Sequence, residues 1–258
     1  MWIRLRQIAV VAQDLFQTGL DIGTVLGLEP CYTDPEIGVF GLKNMLWPIG
    51  DQFLEVVTPT QANTAAGRYR ERRSGDTGYM VITQVDDVEL RRRRAAELGI
   101  RIAFSIDQPE HGHDGIQLHP ADTGGTFFEM DQMLGSQDSL DDGKWAPAGP
   151  NWKPYRRTNT VSAITAAEIQ SPDPDSLASR WAAVAELDLH SDSQGRPYME
   201  MDNAVVRFVE ATDGRGEGLG AIDVTVNDRD SLLKGAAARG IAASDEQVTI
   251  SGMRINLR

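Results

Sequence analysis

Residues 115–133 read GIQLHPADTGGTFFEMDQM. Two runs of aliphatic, β-branched and aromatic residues flank a tight Asp122-Thr123-Gly124-Gly125 turn, the pattern of a β-hairpin. The second run delivers one carboxylate, Glu129, among apolar neighbours. On the hairpin alone Glu129 is either an edge-strand carboxylate facing water or a functional group, and the remaining sequence has to decide.

Upstream of the hairpin the chain reads strand Tyr79 to Val85, helix Val88 to Leu98, and strands Ile100 to Ser105 and Ile116 to His119. Asp86-Asp87 can cap that helix and Gly99 stops it. With Phe127 to Met130 the order is β-α-β-β-β, one module. The chain opens on the same order. Leu5 to Ala12 is a strand, and Asp14 caps a helix with apolar positions Leu15, Leu20, Ile22, Val25 and Leu26, stopped by Gly27. Extended runs follow around Cys31-Tyr32, Gly38 to Leu42 and Phe53 to Val57, and a short helix at about Gln61 to Arg73 leads onward.

After the hairpin, residues 134–158 carry Gly143, Pro147, Gly149, Pro150 and Pro154 without periodicity and read as a linker. Trp145 and Trp152 within it imply a segment laid along a surface. The order then recurs twice: Val161 to Ile169, helix Asp175 to Leu187 and strands ending at Ala204 to Val209; then Gly220 to Val226, helix Asp228 to Arg239 and strands ending at Arg254 to Leu257. An internal repeat outweighs any single element. The predicted class is α+β, with four βαβββ modules paired as domains 1–133 and 159–258.

The 258 residues are 41% hydrophobic and 24% charged, ordinary for a soluble globular protein. A net charge of -13 argues against a nucleic-acid partner, which requires a basic surface. The single cysteine, Cys31, leaves no intramolecular disulfide framework and fits a cytoplasmic location. Neither the N-terminus nor any later stretch is apolar for long enough to span a membrane, and no membrane partner is expected.

LHPADTGG followed by an apolar run ending in Glu129 resembles the closing hairpin of methylmalonyl-CoA epimerases. More broadly, it is similar to the glyoxalase/bleomycin-resistance/dioxygenase superfamily, the vicinal-oxygen-chelate proteins. The resemblance covers nearly the whole chain outside the linker and implies tandem glyoxalase-like domains with two open, cup-shaped sheets. It also implies metal ligands on the first and last strands of each module, the first lying seven positions before the helix cap. Counting back from Asp14 and Asp87 gives Gln7 and Met80, and the last-strand positions are Glu55 and Glu129.

Gln7, Glu55 and Glu129 then form the expected metal set, with oxygen donors suited to Mg²⁺, Mn²⁺, Co²⁺, Ni²⁺ or Zn²⁺. Met80 departs from the family's usual His, which leaves a metal-free cup open as well. Iron-dependent ring cleavage is excluded, since it needs two His and a Glu where this chain has Gln7, Met80 and Glu129. The same count in the second half lands on Ala166, Arg207, Ala221 and Asn256, so that half loses the ligands. Its Glu168 and Glu210 fall off the ligand register.

The expected function is a glyoxalase-like lyase or isomerase on a small carbonyl or thioester substrate. Glu55 and Glu129 are its candidate catalytic carboxyls, and Tyr79, Met80, His111, His113 and Phe128 are candidate substrate contacts. The alternative is a metal-free protein that binds or sequesters a small molecule, with Met80, Phe127, Phe128 and the linker tryptophans lining the cup. The arginines at 68, 70, 72, 73 and 91–94 read as solvated helix faces with their stems on the core, or as phosphate recognition for a coenzyme A thioester. A monomer or homodimer is expected.

Overall fold

The computed structural model describes residues 1–135 and 143–258, so residues 136–142 of the expected linker lie outside the described residues. Among the described residues fourteen strands form two open seven-stranded mixed sheets, with five α-helices. The first segment contains β1 (Ile3–Val11), α1 (Leu15–Leu26), β2 (Leu42–Ile49) and β3 (Gln52–Pro59), and α2 (Ala65–Arg72) follows it. The second contains β4 (Thr77–Val85), α3 (Val88–Glu97), β5 (Ile102–Gln108), β6 (His113–Leu118) and β7 (Phe127–Met133). After the linker come β8 (Val161–Ser171), α4 (Pro174–Ala185), β9 (Leu189–Ser191), β10 (Pro197–Glu200) and β11 (Val205–Glu210). The last segment has β12 (Gly218–Val226), α5 (Arg229–Arg239), β13 (Gln247–Ile250) and β14 (Met253–Leu257). Strand order is β2-β3-β1-β4-β7-β6-β5 in one sheet and β13-β14-β12-β8-β11-β10-β9 in the other.

In every module the first strand runs parallel to the last, in one shared register. Gln7 pairs with Phe53, Met80 with Phe127, Ala166 with Val205, and Ala221 with Arg254. The cause is local: Asp14, Asp87, Asp173 and Asp228 each cap the helix after the first strand through a side-chain oxygen. Each cap ends its strand at an equivalent place. Gly27 then stops α1 in the left-handed conformation at φ 67°.

Three expectations need correcting. Gly38 to Leu42 is not a strand, because residues 37–40 wind into a 3-10 turn closed by Gly41 at φ 68°. The strand is Leu42–Ile49, hidden in the sequence by Pro48; that proline sits at the end of an edge strand, where its missing N–H costs little. The run at Cys31-Tyr32 contributes one bridge, Tyr32 to Leu46, and Ala243 to Val248 is the corresponding bridge in the last module. These two reduced strands leave each sheet with seven strands. The helix expected from Gln61 begins only at Ala65, where Thr64 caps it.

Contacts within the chain gather into two compact units, while β1–β7 make up one sheet and β8–β14 the other. One comprises residues 1–6, 80–146 and 166–219; the other comprises residues 7–79, 147–165 and 220–258. The second unit contains the packing of α1 on α5, where Gly235 brings the helices so close that a Cβ would lie 2.3 Å from the Thr24 carbonyl oxygen. In the first unit Phe128 stacks on Trp181, ring centroids 4.2 Å apart, and Phe208 meets the edge of the same indole.

Candidate active site

In the unit containing residues 7–79, β2 and β3 form a hairpin through Gly50-Asp51, in which Leu46 faces Glu55 and Asn44 faces Val57. Strand alternation therefore puts Asn44, Glu55 and Gln7 on one side of the sheet. Helix α1 covers the other side, where Gly19 lies against the Trp47 ring. Gln7 Nε2 donates to Glu55 Oε2 at 2.9 Å, and Asn44 Nδ2 donates to Glu55 Oε1 at 2.6 Å. Asn44 is fixed in that orientation because its own oxygen accepts from the Asp34 N–H at 2.9 Å. All three side chains are buried. Burial pushes the Glu55 carboxyl up to about 7; the two amides oppose the shift and the charge of Asp34 adds to it.

Tyr79 belongs to the same unit, its ring 5.1 Å from that of Tyr69 on α2. Burial raises its phenol first, and the neighbouring Tyr69 and Glu55 raise it further, so it stays neutral and able to donate.

Glu129 lies in the other unit, on the face of β7 away from α3. Arg92 of α3 reaches Asp114 at 2.9 Å on the opposite face, which fixes the sides. The ring of Phe128, expected at a ligand, faces that helix side and is sealed against Trp181, because adjacent strand residues point oppositely. Glu129 shares its face with Asp131 two residues on, with Gln117 directly across, and with His113. His113 Nε2 stands 3.1 Å from Asp131 Oδ2, within ion-pair reach but off the hydrogen-bond angle. Burial pushes Glu129 and Asp131 far above the carboxylate range, the charge of Asp131 adding to the rise of Glu129 and that of Asp114 to the rise of Asp131, while a hydrogen bond from Glu129 opposes the rise of Asp131; burial also pushes His113 down towards its neutral form. Gly115 makes room for Asp131, since a Cβ there would come 2.2 Å from its Oδ1.

Met80 is buried beside Phe127 on the Glu129 side of β4. His111 is exposed, 3.9 Å from Glu110, and its carbonyl accepts from Lys144. The structure thus brings Gln7 and Glu55 together in one unit and places Glu129, His113 and Met80 in the other.

Asn44 and Asp131 were missed in the sequence. Counting outward from Gly50-Asp51 finds the first, and period-two counting from Glu129 finds the second. Of the arginines, Arg91 is fully buried and bonded to Glu186 at 3.2 Å, and Arg70 pairs with Asp76 at 2.6 Å. The ligand position of the third module holds Arg207, bonded to Glu168 at 2.9 Å. That of the fourth holds Asn256, which donates to Asp223 at 2.7 Å.

Do these residues suit a divalent ion? Both Glu55 oxygens accept amide hydrogens, and Gln7 and Asn44 add no charge to its single one. Among the described residues no group of three or more His, Cys, Asp or Glu side chains is arranged to hold a metal. The donor set does not fit a resident divalent ion.

Two open mixed sheets, with a buried carboxylate on the last strand of each N-terminal module, give the chain a glyoxalase-type fold. It resembles the Mn(II)-bound glyoxalase from Novosphingobium aromaticivorans at 12% identity and TM-score 0.65, over 98% of this chain and 80% of that one. It resembles a mutant 4-hydroxymandelate synthase from Streptomyces coelicolor at 14% identity and TM-score 0.66, over 98% and 91%. A hypothetical protein from Staphylococcus aureus matches at 12% identity and TM-score 0.64, over 100% and 99%. No protein-family model matches the chain. No curated protein matches it in sequence. Among the described residues no helix is long and apolar enough to cross a membrane.

Proposed function

We propose that the chain is a glyoxalase-like isomerase or lyase in which Glu55 moves a proton on the carbon beside the carbonyl of a small carbonyl or thioester substrate. The observation that carries this reading is a buried Glu55 held by two amide donors and titrating at about 7. A base poised near the working pH is half ionised there and still strong enough to accept a proton from carbon. Each carboxylate oxygen has two acceptor directions, and the amides take one from each, so a direction remains for the substrate C–H.

As the proton passes to Glu55, charge grows on the carbonyl oxygen. The neutral Tyr79 hydroxyl is the donor nearest in character to an oxyanion partner. Return of the proton by Glu55 to the neighbouring carbon on the same face gives isomerisation, and loss of a leaving group from the next carbon gives elimination.

The protein would act on small molecules in the cytoplasm as a monomer or homodimer, without nucleic-acid or membrane partners. The test is proton exchange in D₂O with branched acyl thioesters, 2-oxo acids and hydroxyketones. Deuterium should enter beside the carbonyl at a rate rising with pH through about 7, and Glu55→Gln should abolish it. The sequestering alternative is favoured by the aromatic filling at Phe53 and Trp152. It takes over if a ligand binds at this site and none of these compounds exchanges.

A further inference from the structure

Phe53 alternates with Glu55 on one face of β3, two residues or about 7 Å along the strand. The indole of Trp152 meets Phe53 edge to face, with centroids 5.0 Å apart and planes at 81°, and is only 2% exposed. Trp152 therefore sits on the Glu55 side of the sheet. The segment around it, residues 147–157, belongs to the same compact unit and is seated at both ends. Gly149, at φ 69°, lies so close to Tyr32 that a Cβ would be 2.7 Å from the ring. Tyr32 in turn bridges to Leu46, the cross-strand partner of Glu55. At the far end Arg157 is paired with Glu29. Lys153 and Arg156 each place a cation 5.9 Å from the indole centroid. An indole on an irregular segment, packed on the apolar side of a polar site between two cations, fills space of the kind a ligand takes.

We infer that residues 147–157 form a strap whose Trp152 indole occupies the apolar half of the Glu55 site. The ligand is a small organic anion carrying a flat apolar group, which replaces the indole over Phe53 while Lys153 and Arg156 meet its charge. This rests on the reading of Glu55 as a site residue and adds to it the class of ligand and the way in.

Indole-3-acetate, a flat ring with a carboxylate, is the probe, with indole and acetate as controls. In the full-length protein, excess indole-3-acetate should raise amide hydrogen exchange across residues 147–157 several-fold, while neither control does so. By calorimetry Trp152→Ala should bind indole-3-acetate roughly tenfold more tightly than the unaltered chain, because the strap no longer competes. Adding Lys153→Ala and Arg156→Ala should remove its preference for indole-3-acetate over indole. A static cover gives the opposite set: exchange in 147–157 unchanged or lowered, or a folded Trp152→Ala that binds no more tightly, and either result overturns the strap. Equal binding of indole and indole-3-acetate to Trp152→Ala overturns the anionic class. The exchange measurement needs no variant, so it stands if Trp152→Ala does not fold. Glu55→Gln should still bind the probe while losing proton exchange on substrate, which separates failure of the strap from failure of Glu55 as base.

Discussion

Glu55 keeps a proton to about pH 7 when folded and to its ordinary 4.5 when unfolded. Between those values the folded chain holds the extra proton. The stability this confers is complete below about pH 4.5 and lost as pH rises through about 7. At 1.36 kcal/mol per pKa unit the gap corresponds to about 3 kcal/mol. Glu129 and Asp131 act in the same direction, so the measurement is a difference: denaturant midpoints of the native chain should fall more between pH 5 and pH 8 than those of Glu55→Gln. Met80 gives a second outcome. It lies on the Glu129 side of β4, two residue pairs along from Ile82, the partner of Glu129. Met80→His would add an imidazole on the face of the sheet that carries Glu129. Affinity for Mn²⁺, Co²⁺ or Ni²⁺ should rise by more than about tenfold, read by calorimetric titration. No gain would mean that position 80 does not look onto Glu129. Gln7 and Glu55 were picked out because the resemblance implied a first-strand position seven residues before the helix cap Asp14 and a second position on the last strand, and these two lie on paired strands. Asn44 was not, because its strand carries Pro48 and Trp47 and reads as irregular until the Gly50-Asp51 turn is recognised. The direction of Phe128 was readable from alternation and was overridden by its aromatic character.

At the scale of elements, the caps and one helix crossing carry the arrangement. Asp173 and Asp228 each accept a backbone N–H at the start of a helix, from Ser176 and Ser231. Replacing either with Ala should cost about 1 kcal/mol in urea unfolding. The crossing of α1 and α5 is less forgiving. At Gly235 an added methyl meets the Thr24 carbonyl oxygen at 2.3 Å and the Val25 Cα at 3.0 Å, both backbone atoms that can move only with their helix. Gly235→Ala should destabilise by roughly 1–3 kcal/mol, the usual cost of overpacking. A melting temperature unchanged by this substitution would show the helices to be further apart than described. The sequence disclosed these helices through their caps and apolar spacing. It hid the crossing, because a glycine inside a helix pattern does not announce which neighbour it admits.

Across the whole molecule, order along the chain and compactness diverge. Residues 7–79 gather with 220–258, and residues 80–146 with 166–219. Fragments 1–133 and 159–258, expressed apart, would each expose surfaces covered within these units: α1 and α5 to one another's loss, Phe128 without Trp181, and Trp181 without Phe128. Neither fragment should show cooperative unfolding alone, and co-expression should restore it. Two separately melting fragments would return the molecule to the simpler division. The fourfold order was legible because strands and caps are local. Which modules gather into one compact body depends on long-range packing that no periodicity records. The common register of all four modules has its own consequence. Glu55, Glu129, Arg207 and Asn256 occupy one equivalent place, each two residues past the partner of the first-strand position. For an engineer these are four interchangeable sockets on an unchanged backbone. A carboxylate written at 256, with an amide or imidazole at 221, would transplant a first-module chemistry into the last without redesigning a single turn.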